Sequence, residues 1–86
     1  MRNMINKYLN NLTKDQVNNF AISKNILLTN EELNFTYNFI MKNHDEILKN
    51  PNLFDINRYQ GYYSPSTFEQ IKKVYIEYLS KYQRFL

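Results

Sequence analysis

A chain of 86 residues with a net charge of +3 has room for one domain, and its 43% hydrophobic and 16% aromatic content supplies a single core. A domain this small buries only about 60–65% of the surface its unfolded form exposes, so modest stability is expected. Zero cysteines exclude a disulfide-stapled secreted scaffold, thiol nucleophiles and thiolate metal sites; they leave the redox compartment unmarked, and an intracellular protein is expected. Acids and bases are equal in number over residues 1–57, so the whole basic excess lies from Arg58 onward. That excess is too small to mark a nucleic-acid binder by itself.

The first predicted element covers about residues 1–11, where Met1, Ile5, Tyr8, Leu9 and Leu12 recur at helical spacing. Polar residues interrupt the start, so it does not read as a signal peptide, and no run in the chain is long enough to span a bilayer. Three later helices open on one construction: an apolar residue, a hydroxyl residue, and a second apolar residue four positions beyond the hydroxyl. These are Leu12-Thr13 with Val17, Leu28-Thr29 with Leu33, and Tyr63-Ser64 with Phe68. In each, the hydroxyl oxygen is placed to accept from an orphan N–H of the first turn while the apolar pair staples the incoming chain. Gln16 and Glu32 extend the first two into capping boxes, and the third carries Pro65 at the first helical position.

The second helix is expected from Thr13 to about Lys24, with Val17, Phe20 and Ala21 inward and Asn25 as a left-handed stop. Ile26, Leu27 and Leu28 form a short connector expected to be buried. The third helix runs from Thr29 to about Lys49 and ends at Asn50-Pro51. Leu33, Tyr37, Ile40, Met41, His44, Ile47 and Leu48 share one face, with Phe35 and Phe39 nearly opposite. Apolar on two sides, this helix is the expected hub of the bundle. A short helix carrying Leu53, Phe54 and Ile56 is expected to about Tyr59, after which the single glycine, Gly61, turns the chain. The last helix starts at Pro65 with Phe68, Ile71, Tyr75, Tyr78, Tyr82 and Phe85 on a seam, and it is expected to pair mainly with the third. Glu69, Lys73, Glu77 and Lys81 follow one another at i,i+4 on its solvent side. The fold class read from these elements is all-α: a compact bundle of four to five helices in a single domain, residues 1–86.

Catalysis has little material here. His44, the single histidine, lies within an apolar stripe, and Asp45 points about 100° away round the helix. The acidic pairs Glu31-Glu32 and Asp45-Glu46 lack the ligand spacing of a calcium loop, and Glu31 and Glu32 suit a helix N-terminus. No catalytic, cofactor-binding or metal-ligating residue is therefore expected. Two binding readings remain. Nucleic acid could meet the last helix through Tyr75, Tyr78 and Tyr82 with Lys72, Lys73, Lys81 and Arg84, but the tyrosines sit on the apolar stripe and Glu69 and Glu77 interrupt the bases. A helix-turn-helix built on Ala21 and Asn25 fails because the connector is too long and Glu31 and Asn34 occupy packing positions. Protein binding is the favoured reading, through two surfaces: Arg58, Tyr59, Tyr62 and Tyr63 around Gly61, with the composition of a binding hot spot, and Ile76 with Lys72 and Gln83. The partner is an unidentified protein, a second copy of the chain included; no membrane is implied. Equally, Tyr62 and Tyr63 can fold back to cover the core.

The order of landmarks, Asn11-Leu12-Thr13, Phe20-Ala21, Leu28-Thr29 with Glu31-Glu32, and Ser64-Pro65-x-Thr67, resembles the small YqfT-like family of Bacillota. The resemblance spans about residues 4–82 and rests on caps and apolar positions. Met41-Lys42-Asn43-His44 departs from it, standing where a small Arg-Gly-Lys type turn is expected. The resemblance implies a compact cytoplasmic helical protein from a low-GC Gram-positive bacterium and assigns no site residues.

Overall fold

The computed structural model describes residues 7–50 and 53–83, the last two as backbone only. Expectations for Met1, Ile5, Pro51, Arg84 and Phe85, and for the side chains of Tyr82 and Gln83, lie outside the described residues. Every regular element among the described residues is helical, and the chain is a small all-α bundle. Helix α1 is described over residues 7–10, followed by α2 (Lys14–Ser23), α3 (Asn30–Lys49), a 3-10 helix η1 (Ile56–Tyr62) and α4 (Pro65–Gln83).

Local chemistry sets the helix ends. Thr13 Oγ1 accepts from Gln16 N at 3.2 Å while Gln16 Oε1 accepts from Thr13 N at 2.9 Å. Thr29 and Glu32 repeat this box at 3.1 and 2.9 Å. Each box satisfies two N–H groups that the first turn leaves without intrahelical partners. The third start differs from expectation: Ser64 donates its hydroxyl to Thr67 Oγ1 at 2.7 Å, and Pro65 supplies the preset φ of a first helical residue. The aromatic staple across it is present, with the Tyr63 and Phe68 rings 6.4 Å apart. Helix α2 ends as Asn25 suggests. Asn25 takes φ 62°, its N–H donates to Ile22 O at 2.9 Å, and Ile26 N donates to Ala21 O at 2.8 Å. This pair of bonds closes the last turn and turns Ile26 inward, where it is 4% exposed. The connector is not buried throughout, however. Leu27 is 79% exposed, because a non-helical strand of chain alternates its side chains and puts the residue after Ile26 on the outside.

The third and last helices are not the main packing pair. Among the described residues the most extensive backbone contact is between α2 and α3, and α4 packs instead on η1. The reason is a layer of rings inserted between α3 and α4. Phe35 and Phe39 of α3 meet Phe54 and Tyr59, Tyr63 also meets Phe35, and the far side of the layer reaches α4 through Phe54–Tyr75 and Tyr63–Phe68. With three residues per turn, a 3-10 helix eclipses side chains at i and i+3, so η1 presents Ile56, Tyr59 and Tyr62 along one edge. Asp55 starts it by accepting from Asn57 N at 3.0 Å. Leu53 already lies in a 3-10 turn, and η1 continues through Gly61, which has no positive φ and turns nothing. Leu53 is exposed, and so is Tyr8 of α1. The hub role of α3 stands: one side meets α2 and Phe35 and Phe39 on the other carry the aromatic layer.

Candidate functional site

The ring layer does not fill the space it occupies. Between α3 and α4 lies a half-open cavity of about 390 Å³ whose lining is almost wholly apolar. Helix α3 contributes Ile40, His44 and Ile47 to it, α4 contributes Ile71, Val74 and Tyr75, and Phe54 and Tyr59 form the wall between. Flat rings meeting edge to face leave gaps that branched aliphatic side chains would close. Phe39 and Tyr59 cross at 65°, and Phe54 and Tyr75 at 62°. No Asp, Glu, Lys or Arg among the described residues lines the chamber.

Four polar residues of the lining, Thr36, Tyr63, His44 and Tyr75, differ in how they are satisfied. Thr36 donates its single hydroxyl proton to Glu32 O at 2.7 Å, so the Tyr63 hydroxyl must be the donor in the short bond between those two side chains. His44 is buried with Nδ1 2.7 Å from Ile40 O. A carbonyl only accepts, so Nδ1 carries the proton of that bond. The Tyr75 hydroxyl is enclosed and has no protein partner, and burial pushes its pKa up.

Above the chamber wall, η1 forms an exposed lip. Of the four tyrosine-loop residues singled out from sequence, Tyr59 packs inside the ring layer and Tyr63 is fastened to Thr36, so both hold the fold together. Tyr62 lies outside. Its ring stacks on Phe35 with centroids 4.0 Å apart and planes 8° apart, yet the residue is 57% exposed. Arg58 is exposed on the same helix. On α4, Ile76 is 52% exposed and Lys72 half-buried.

The base-rich face is partly engaged within the fold. Tyr78 meets Phe20 of α2 edge on at 5.6 Å, with Lys24 5.1 Å and Lys81 5.0 Å from the centre of its ring. Glu77 lies between those lysines, 3.9 Å from Lys24 and 3.3 Å from Lys81. Among the described residues no three His, Asp or Glu side chains gather as metal ligands, and no helix is long and apolar enough to cross a membrane.

Compared with family models, curated proteins and solved structures, the chain matches none.

The residue that local spacing undervalues is Glu32. It is 7% exposed, and besides closing the α3 capping box through Oε1, it accepts through Oε2 from Ser64 N at 2.9 Å, 32 residues away. Burial raises its pKa, but the bonds from Thr29 and Ser64 outweigh that and hold the carboxyl below its ordinary value. One carboxylate thus serves the starts of both α3 and α4, where the positive ends of two helices meet. It fixes the chain end of the lip: Tyr63, adjacent to Ser64, hangs on Thr36, one turn along α3 from Glu32. The pKa of Tyr63 is raised by burial and by the Glu32 charge. In the sequence Glu32 shows only its box with Thr29; a partner in another helix leaves no spacing to read.

Proposed function

We propose that this chain is a small cytoplasmic, non-catalytic module that works by binding another protein, with Tyr62 and Arg58 of η1 as its anchor. The observation that carries this reading is the fixed, exposed ring of Tyr62, stacked on Phe35 and open to water. A large amphipathic ring already ordered in the free protein loses little rotamer freedom on binding, and Tyr beside Arg is the composition that dominates interface energetics. Exposed Ile76 and neighbouring Lys72 on α4 give a second point of contact, and a second copy of the chain is one partner to consider. Catalysis has less support, since His44 commits Nδ1 to its own helix. So has nucleic-acid binding through α4, because Tyr78 is packed on Phe20 and Lys24 and Lys81 face Glu77.

A photo-crosslinking residue placed at Tyr62, compared with one at exposed Glu69, tests this in living cells. The expected result is a discrete protein adduct from position 62, weakened by Arg58→Ala and absent from position 69; if the adduct contains a second copy, sedimentation will depend on concentration. Equal labelling from both positions would defeat the proposal. So would no protein adduct from position 62, together with retention on heparin that falls steeply as salt is raised, which would favour the nucleic-acid reading.

A further inference from the structure

We infer that a second cavity, at the C-terminal end of α3, binds a primary ammonium group carried on a short apolar stem. This pocket is half-open and about 410 Å³ in volume, which falls within the size range of small-molecule sites. Phe39, Phe54 and Tyr59 border both it and the chamber, so one wall of rings serves the two spaces. The pockets differ in what else they expose. Where the chamber is almost wholly apolar, this one shows polar and apolar surface in similar shares, so a ligand that enters meets polar groups as well as rings.

Those polar groups select a cation. Glu46 lines the pocket, is exposed, and takes part in none of the ion pairs among the described residues. A carboxylate in the last turn of a helix meets the negative end of the macrodipole, an unfavourable placement until a cation joins it. Asn43 donates its amide to Phe39 O at 3.1 Å, which leaves its own carbonyl oxygen to accept. Lys49 is the one cation among the described lining residues, and its ammonium is engaged 3.1 Å from Asp45, which does not line the pocket. An ammonium brings three donors and no acceptor, ring faces attract it, and an alkyl stem packs on the aromatic wall. An anion would meet Glu46 and the helix end with the same sign, and a neutral alcohol would leave the carboxylate unanswered. This site is separate from the Tyr62 lip, and neither proposal depends on the other.

Probes that share one stem test it: butylammonium, 1-butanol and butyrate, titrated at pH 7 and low salt into the full chain. The methyl resonances of Ile47 and Leu53 and the side-chain amide of Asn43, all at the pocket, are followed by NMR. The expected result is saturable shifts with butylammonium, binding about tenfold more tightly than 1-butanol, and no saturation with butyrate. Glu46→Gln keeps the size of the side chain and removes its charge, so it should cut that advantage to about threefold or less and leave 1-butanol unchanged. Its resistance to urea without amine should be equal or greater, which separates loss of the ligand from loss of the fold. Glu69→Gln removes the same charge from an exposed position on α4 and should alter neither affinity. Nα-acetyl-lysine methylamide presents the same stem from a peptide. If it binds as tightly as butylammonium, the source is a lysine side chain of another protein; if butylammonium alone binds, the source is a free amine. Shifts that fail to saturate, 1-butanol or butyrate binding as tightly as butylammonium, or an advantage that survives Glu46→Gln or falls equally in Glu69→Gln would each overturn the assignment.

Discussion

The two sides of α3 are packed by different means. Where α2 meets it, Leu12, Val17, Ala21 and Ile26 are all buried and none is larger than leucine. Where the ring layer meets it, Phe35, Phe39, Phe54, Tyr59 and Tyr75 are only partly buried, and of the described α4 side chains only Phe68 is buried. Small branched side chains close a corner, while rings crossing at steep angles brace two helices apart and leave room between them. The aliphatic corner is built for stability and the aromatic side for access.

Truncation should expose that difference most strongly. Ile26→Ala removes the plug of the α2 C-terminal turn from a site that is nearly closed, and a loss of about 3 kcal/mol is expected in urea unfolding. Ile71→Ala, on the chamber wall, deletes the same atoms from a place already bordered by space, and about 1 kcal/mol is expected. Equal losses would mean that the chamber closes in solution and that the two sides are alike.

Glu32 ties the two sides together, and its removal ranks next. Glu32→Gln keeps one oxygen to accept and turns an NH₂ toward a backbone donor, so either Thr29 N or Ser64 N loses its partner; about 2 kcal/mol is the expected cost. The pH dependence has a definite sign. The folded pKa lies below the ordinary value, so this stabilisation is fully present above the ordinary carboxylate range and fades as pH falls through the folded value. Unfolding followed from pH 7 to pH 3 should therefore show a smaller decline in Glu32→Gln than in the wild type. Identical slopes would remove Glu32 from its role as the clamp between helix starts.

How much of this was readable in advance follows the range of the interactions. Thr13 with Gln16, Thr29 with Glu32, and Asn25 act within four residues, and their spacing was sufficient to place the helix ends. His44 on an apolar stripe was likewise legible as a packed residue. The tyrosine loop was only half legible. The 3.6-residue rhythm of an α-helix cannot foretell a 3-10 segment, and it is the three-residue period that turns Tyr59 inward and stacks Tyr62 on Phe35 while Arg58 stays outside. The chamber left no trace in the pattern, because apolar periodicity says which side chains face inward and not whether they fill what they face. Ser64 N reaching Glu32 and the unpartnered hydroxyl of Tyr75 belong to the same class of fact, set by distances between elements.

The smaller effects sharpen the comparison by adding atoms. Val74→Ile places one more methylene in the chamber and should raise stability by about 0.8 kcal/mol, whereas the matching change Val17→Ile in the filled corner should be neutral or destabilising. Gly61→Ala should give about 0.5 kcal/mol of added stability. A Cβ built at Gly61 meets nothing within 4 Å, its φ is not positive, and alanine restricts the unfolded chain more than glycine does. The gain appears only if η1 holds its helical form most of the time, since a segment already loose in the folded protein has no freedom left for alanine to restrict. Thermal unfolding of Gly61→Ala thus reports on the wedge itself: a raised midpoint marks a chamber propped open by a firm 3-10 helix, and an unchanged one marks a wall that breathes.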